Sequence, residues 1–138
     1  MRFKPAFVLA TLLAGCVANA TAADLGGTYD CSGQDGRDGD FSAVLTLSRN
    51  AEHSADGHDS YALTLEVAKG GHYKGAALVR GRTLAMSFAL DGTDATDRGV
   101  GLGTVSYTRA GQARLRKFYF EPEYKGGNHG FEDCTRRK

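Results

Sequence analysis

The chain predicts an all-β fold: a small eight-stranded antiparallel meander closed into a barrel, with a β-sandwich as the alternative. Three observations point there. Apolar residues recur at every second position in several segments, and no segment holds a helical period. Nineteen glycines against two prolines suit a chain of many tight turns. Cys31 and Cys134 stand near the two ends of the folded part, where one disulfide would set first and last strands side by side. Closure removes exposed strand edges, and eight strands enclose just enough room for side chains or one small ligand.

An export leader precedes the fold, over residues 1–22. Arg2 and Lys4 charge its start, Phe7 to Ala14 is almost wholly apolar, and small residues follow. That order reads as a bacterial-style signal peptide. The apolar run is too short to span a bilayer, which needs ~20 such residues. Two processing routes fit. Leu13-Ala14-Gly15-Cys16 looks like the lipobox of bacterial lipoproteins, cut before Cys16 with a lipid attached to it. Otherwise an ordinary signal peptidase cuts after Ala20 or Ala22. The expectation is an exported protein, periplasmic or lipid-anchored to the outer membrane. Of three cysteines, Cys16 then belongs to export. Cys31 and Cys134 remain as a disulfide pair in an oxidising compartment.

Residues 24–138 are enough for one domain with a modest core. Gly26 to Cys31 reads as the first strand, followed by an acidic Gly-rich turn, Asp35 to Asp40. Phe41, Ala43, Leu45 and Leu47 share a face of the second strand, and Asn50 to Asp59 reads as a polar loop. Tyr61, Leu63, Leu65 and Val67 share a face of the third. Gly70-Gly71 marks a hairpin in which glycine supplies positive φ, and Tyr73 to Val79 returns. Leu84, Met86, Phe88 and Leu90 alternate on the fifth strand, and Asp91 to Arg98 is polar loop. Gly99 to Tyr107 carries Gly at 99, 101 and 103, so one face is nearly bare and backbones can approach closely there. Arg114 to Phe120 is the seventh strand, and Phe131 to Cys134 a short last one.

Charge bounds the partner. Loss of Arg2 and Lys4 with the leader takes the 17 Lys and Arg to 15, against 16 Asp and Glu. Near-neutral balance argues against nucleic acid, and against a membrane except through a lipid on Cys16. No phosphate loop, dinucleotide fingerprint or G-x-S-x-G nucleophile context is present, so no cofactor is expected.

The densest stretch runs from Lys117 to Glu132. It holds Tyr119, Glu121, Glu123, Tyr124, Asn128, His129 and Glu132 around Pro122 and a Gly-rich turn. One reading is a recognition loop at a barrel rim, since Tyr gives contact area at low entropy cost. The other is a last hairpin whose aromatics plug the barrel. Glu121, Glu123 and Glu132 also offer an acid and base pair for a hydrolase, with Glu121 and Glu123 on one face of an extended chain. Asp35, Asp38 and Asp40, and secondly Asp91, Asp94 and Asp97, are weak calcium candidates. His53, Asp56, His58 and Asp59 form a still weaker zinc candidate.

From Tyr29-Asp30-Cys31 onward the chain resembles the membrane-bound or periplasmic inhibitors of C-type lysozyme. The shared plan is an export signal, often a lipobox, a Tyr-x-Cys opening strand, a small eight-stranded barrel and a disulfide. That family blocks lysozyme with a Ser-x-Ser-Gly-x-x-Tyr loop and a later Lys-Gly. Here Ser54-Ala55-Asp56-Gly57 precedes Tyr61, and Lys69-Gly70 follows. Asp56 replaces the second Ser, one extra residue separates Gly57 from Tyr61, and the chain has no Trp. The resemblance implies a non-enzymatic envelope protein that inhibits a cell-wall hydrolase, with Ser54, Tyr61 and Lys69 as its contacts. The barrel pattern also resembles avidin-like and lipocalin-like proteins, which implies a small molecule held inside.

Overall fold

The computed structural model of the chain describes residues 23–92 and 96–138. The leader with Cys16, and Asp94 of the second acidic group, lie outside them. Eight strands follow in chain order: β1 Gly27–Asp35, β2 Gly39–Ala55, β3 His58–Val67, β4 His72–Arg80, β5 Thr83–Leu90, β6 Arg98–Tyr107, β7 Ala113–Glu121 and β8 Asn128–Arg136. Each pairs antiparallel with the next, and β8 pairs with β1, so the sheet closes on itself. A two-sheet sandwich is thereby excluded. Cys31 and Cys134 face each other across the β1–β8 seam and are disulfide-bonded. Such a bond is consistent with an exported protein.

Side chains alternate in and out along each strand, and the predicted apolar faces turn inward. Ala43, Leu45, Leu47, Tyr61, Leu63, Leu84, Met86 and Phe88 are all buried. At roughly 1.5–3 kcal/mol for each large side chain removed from water, this face is the main stabilising term. One end of the barrel is packed solid. There Leu25, just before β1, is 2% exposed. Its amide donates to the Tyr61 hydroxyl (3.1 Å), and its carbonyl accepts from the Tyr29 hydroxyl (2.7 Å). Burial pushes the Tyr29 hydroxyl up to about 12, so it remains a donor across the ordinary pH range.

The structure departs from the sequence reading most at three strand boundaries and one turn, each for a local reason. β1 runs on to Asp35, whose carboxylate accepts the amides of Arg37 and Asp38 and so makes the turn there. The expected loop from Asn50 to Asp59 is instead a long hairpin that turns at Asp56-Gly57, both at positive φ. It lies beyond the core, so it carries no apolar alternation to betray its strands. At Gly70-Gly71 the positive φ falls on Lys69 instead. The glycines are needed for room: a Cβ on Gly70 would strike Val67, and one on Gly71 would strike Leu90. β8 begins at Asn128, because Gly130 lies flat under the Tyr119 ring as a strand residue.

Candidate functional site

The other end of the barrel is open. A cavity of about 400 Å³ runs inward from it, among Phe41, Leu63, Leu65, Tyr73, Met86, Phe88, Tyr119 and the buried charges of β7 and β8. That volume is within the range of small-molecule sites. Four rings cross it in edge-to-face contact: Phe41 to Tyr119 at 6.4 Å, Tyr119 to Phe88 at 5.9 Å, and Phe88 to Tyr73 at 5.9 Å. The bare face of β6 is the wall that makes this possible. A Cβ on Gly99 would meet Phe88 and Glu121, one on Gly101 would meet Met86, and one on Gly103 would crowd Lys117. The missing side chains leave the space that the large inward residues of β5 and β7 occupy.

Several inward positions of β7 and β8 are polar: Lys117, Tyr119, Glu121, Asn128 and Glu132. Lys117 and Glu132 face each other across the two strands and form an ion pair at 2.7 Å, with side chains only 1% and 2% exposed. Tyr119 donates its hydroxyl to Asp35 (2.6 Å), and Tyr73 donates to Asp97 (3.1 Å). Burial and these carboxylates push both phenols well above their usual range. Burial also opposes the charge on Asp35. Donors from Tyr119, Asn128 and the amides of Asp38 and Arg37 outweigh it, and its pKa falls. The Asn128 amide bridges Asp35 (2.7 Å) and Glu121 (2.5 Å).

Glu121 differs from these. It is 5% exposed, and among the described residues its one hydrogen bond comes from Asn128. Burial pushes its carboxyl up to about 7. The Asn128 bond works against that rise, and the charges of Asp97, Asp35 and Asp38 add to it. A carboxyl raised in the folded state binds its proton more tightly there than in the unfolded chain. Stability therefore falls as pH rises from about 4.5 to about 7, and the penalty is fully present above that. A shift of this size corresponds to about 3 kcal/mol at most. Glu121→Gln keeps an acceptor for Asn128 and removes the charge. It should stabilise the protein by roughly 1–3 kcal/mol at pH 8 and have little effect at pH 4.5. Urea unfolding at the two pH values checks this, and an equal difference at both would contradict it.

The chain matches no protein-family model and no curated protein.

The structure divides the predicted recognition residues. Tyr119, Glu121 and Glu132 line the cavity, and Asn128 is buried against two of its carboxylates. Tyr124 sits at the rim, where it and Lys125 bond to Asp38. Glu123 turns outward to Arg98 (2.9 Å), and His129 is exposed beside Phe118. Glu121 and Glu123 do not share a face, because β7 ends at Glu121 and the strand alternation stops there. Nor do the aromatics of this stretch simply plug the lumen: Tyr119 turns in, while Phe118, Phe120 and Phe131 turn out to solvent.

The motif residues of the inhibitor resemblance are not brought together. Ser54 is near the tip of the β2–β3 hairpin, where its hydroxyl donates to the Asn50 carbonyl and accepts the Ser60 amide. Tyr61 is buried at the packed end. Lys69 lies past the opposite end of β3, at the open mouth. Among the described residues, neither Asp35, Asp38 and Asp40 nor the His53–Asp59 group brings three ligand atoms within 4.8 Å. Asp35 and Asp38 are already engaged by protein donors, and Asp91 pairs with Lys74 (2.7 Å). Cys31, Glu132 and Cys134 do converge, but both sulfurs are in the disulfide.

Sequence reading missed Lys117, Tyr73 and Phe88 as site residues. One signal could have found the polar wall. A disulfide of two cysteines is usually buried, and with Cys134 on the inner face period two from it passes through Glu132, Gly130 and Asn128.

Proposed function

We propose that this protein binds a small organic molecule inside its barrel. The observation that carries the reading is the one-ended cavity: packed apolar residues at its floor, four aromatic rings across it, and a few buried polar groups. Largely preformed, mostly apolar cavities with a small number of placed polar groups are the usual form of such sites. A ligand entering there would displace water from ring faces and gain from burial without reshaping the sheet. We also propose that the protein is exported and works in the bacterial envelope, as the leader suggests.

Ligand-observed NMR against a library of soluble metabolites tests the reading. Some compounds should bind, and Val67→Trp, which puts an indole into the cavity mouth, should abolish their binding. Failure of every chemical class would remove the proposal.

A second reading, a protein partner such as a cell-wall hydrolase, has separate support. Val100, Leu102, Phe118, Phe120 and Phe131 form an exposed apolar face on adjacent strands β6 to β8. Exposed apolar surface of this kind commonly marks a protein contact. Slowing of any lysozyme or amidase in a purified panel would favour it, and Phe118→Ser should relieve that inhibition.

A further inference from the structure

We propose that the ligand of the cavity is a small organic cation, with its charge at Glu121 and its carbon skeleton against the rings of Tyr73, Phe88 and Tyr119. The proposal rests on the reading of the barrel as a ligand binder and adds the chemical class.

Charge is the first argument. Five carboxylates line the cavity against two lysines. Lys117 is already neutralised by Glu132, and Lys69 is exposed at the rim. Among the described residues no arginine lines the space. Among those residues, an anionic ligand would therefore meet no unpaired cation inside the lumen and would face Asp35 and Glu121. Burial without a counter-charge is expensive for a carboxylate, and a cation at Glu121 would remove that expense.

The ring arrangement is the second argument, independent of the first. Cations are attracted to aromatic faces, more strongly when both are desolvated. Tyr73 and Tyr119 each donate their hydroxyl to a carboxylate, at 3.1 and 2.6 Å. Such a hydrogen bond pushes electron density back into the ring and makes its face more attractive to positive charge. The edge-to-face chain from Tyr73 through Phe88 to Tyr119 turns successive rings nearly perpendicular, at 78° and 83°. Faces are thus offered from more than one side of the same space, beside the buried Glu121 carboxyl, which among the described residues has one donor.

The test uses three probes with one skeleton: benzylamine as cation, benzyl alcohol as neutral and phenylacetate as anion. Each is titrated into the intact disulfide-bonded chain near pH 8 and followed by NMR. Benzylamine should bind at least tenfold more tightly than benzyl alcohol, phenylacetate more weakly than either, and the shifted resonances should be those of Tyr73, Phe88 and Tyr119. Glu121→Gln, which removes no packing, should erase the cation's margin and leave benzyl alcohol unchanged. If benzyl alcohol or phenylacetate binds as tightly as the amine, or the margin survives Glu121→Gln, the cation proposal is overturned and the cavity reading stands. If none of the three binds, the cation proposal falls, and the metabolite library alone decides the cavity reading.

Discussion

Lys117→Met should destabilise the barrel by about 3–5 kcal/mol, the usual effect of leaving one member of a buried pair behind. The Lys117 ammonium and the Glu132 carboxylate are 2.7 Å apart, with almost no solvent on either side chain. Methionine fills much of the same volume, so packing is nearly kept, and what is lost is the charge that compensates Glu132. Since small domains unfold at about 5–15 kcal/mol, this is a large fraction of the total. The double variant Lys117→Met with Glu132→Leu should recover most of the loss, because two apolar residues need no partner. Urea unfolding of the two variants and the parent separates the cases. A double variant as unstable as the single one would mean that the pair is not what Lys117 contributes.

Reduction of Cys31–Cys134, or Cys31→Ala with Cys134→Ala, is the second large effect. The bond spans a sequence separation of 103 residues. Chain-entropy reasoning assigns ~4.7 kcal/mol to a loop of about that length, acting on the unfolded chain. The native seam has its own support: β1 and β8 are paired from Tyr29 opposite Arg136 to Asp35 opposite Gly130. The reduced protein should therefore keep its β-sheet circular dichroism at low temperature and melt at least about 10 °C lower. A melting curve that ignores reductant would show that the two sulfurs are not joined in solution.

These predictions divide along what was legible in the chain. The barrel was legible because its strongest constraint is simple. A strand with one face buried must alternate, and Leu45 with Leu47, Leu63 with Leu65, and Met86 with Phe88 do so. The disulfide was legible from cysteine position. The β2–β3 hairpin was not, because its outer half is solvated on both faces and has nothing to alternate. Neither was the way the Lys117 stretch divides. Along β7 one face carries Leu115, Lys117, Tyr119 and Glu121, and the other Arg114, Arg116, Phe118 and Phe120. Each face mixes charge with aromatics, so hydrophobicity does not say which is inside.

By itself, then, the sequence determined the all-β class and the phase of the apolar strands, consequences of period-two burial, and two cysteines set far apart favoured closure. Only the tertiary structure decided that the face of β7 with Lys117, Tyr119 and Glu121 turns inward and the Arg and Phe face outward. The reason lies across the sheet. Glu132 on β8 faces the lumen in phase with Cys134, and it places a carboxylate opposite Lys117. The glycines of β6 leave room beside it. A buried charge becomes tolerable only when its partner is already in place, and that partner lies on another strand.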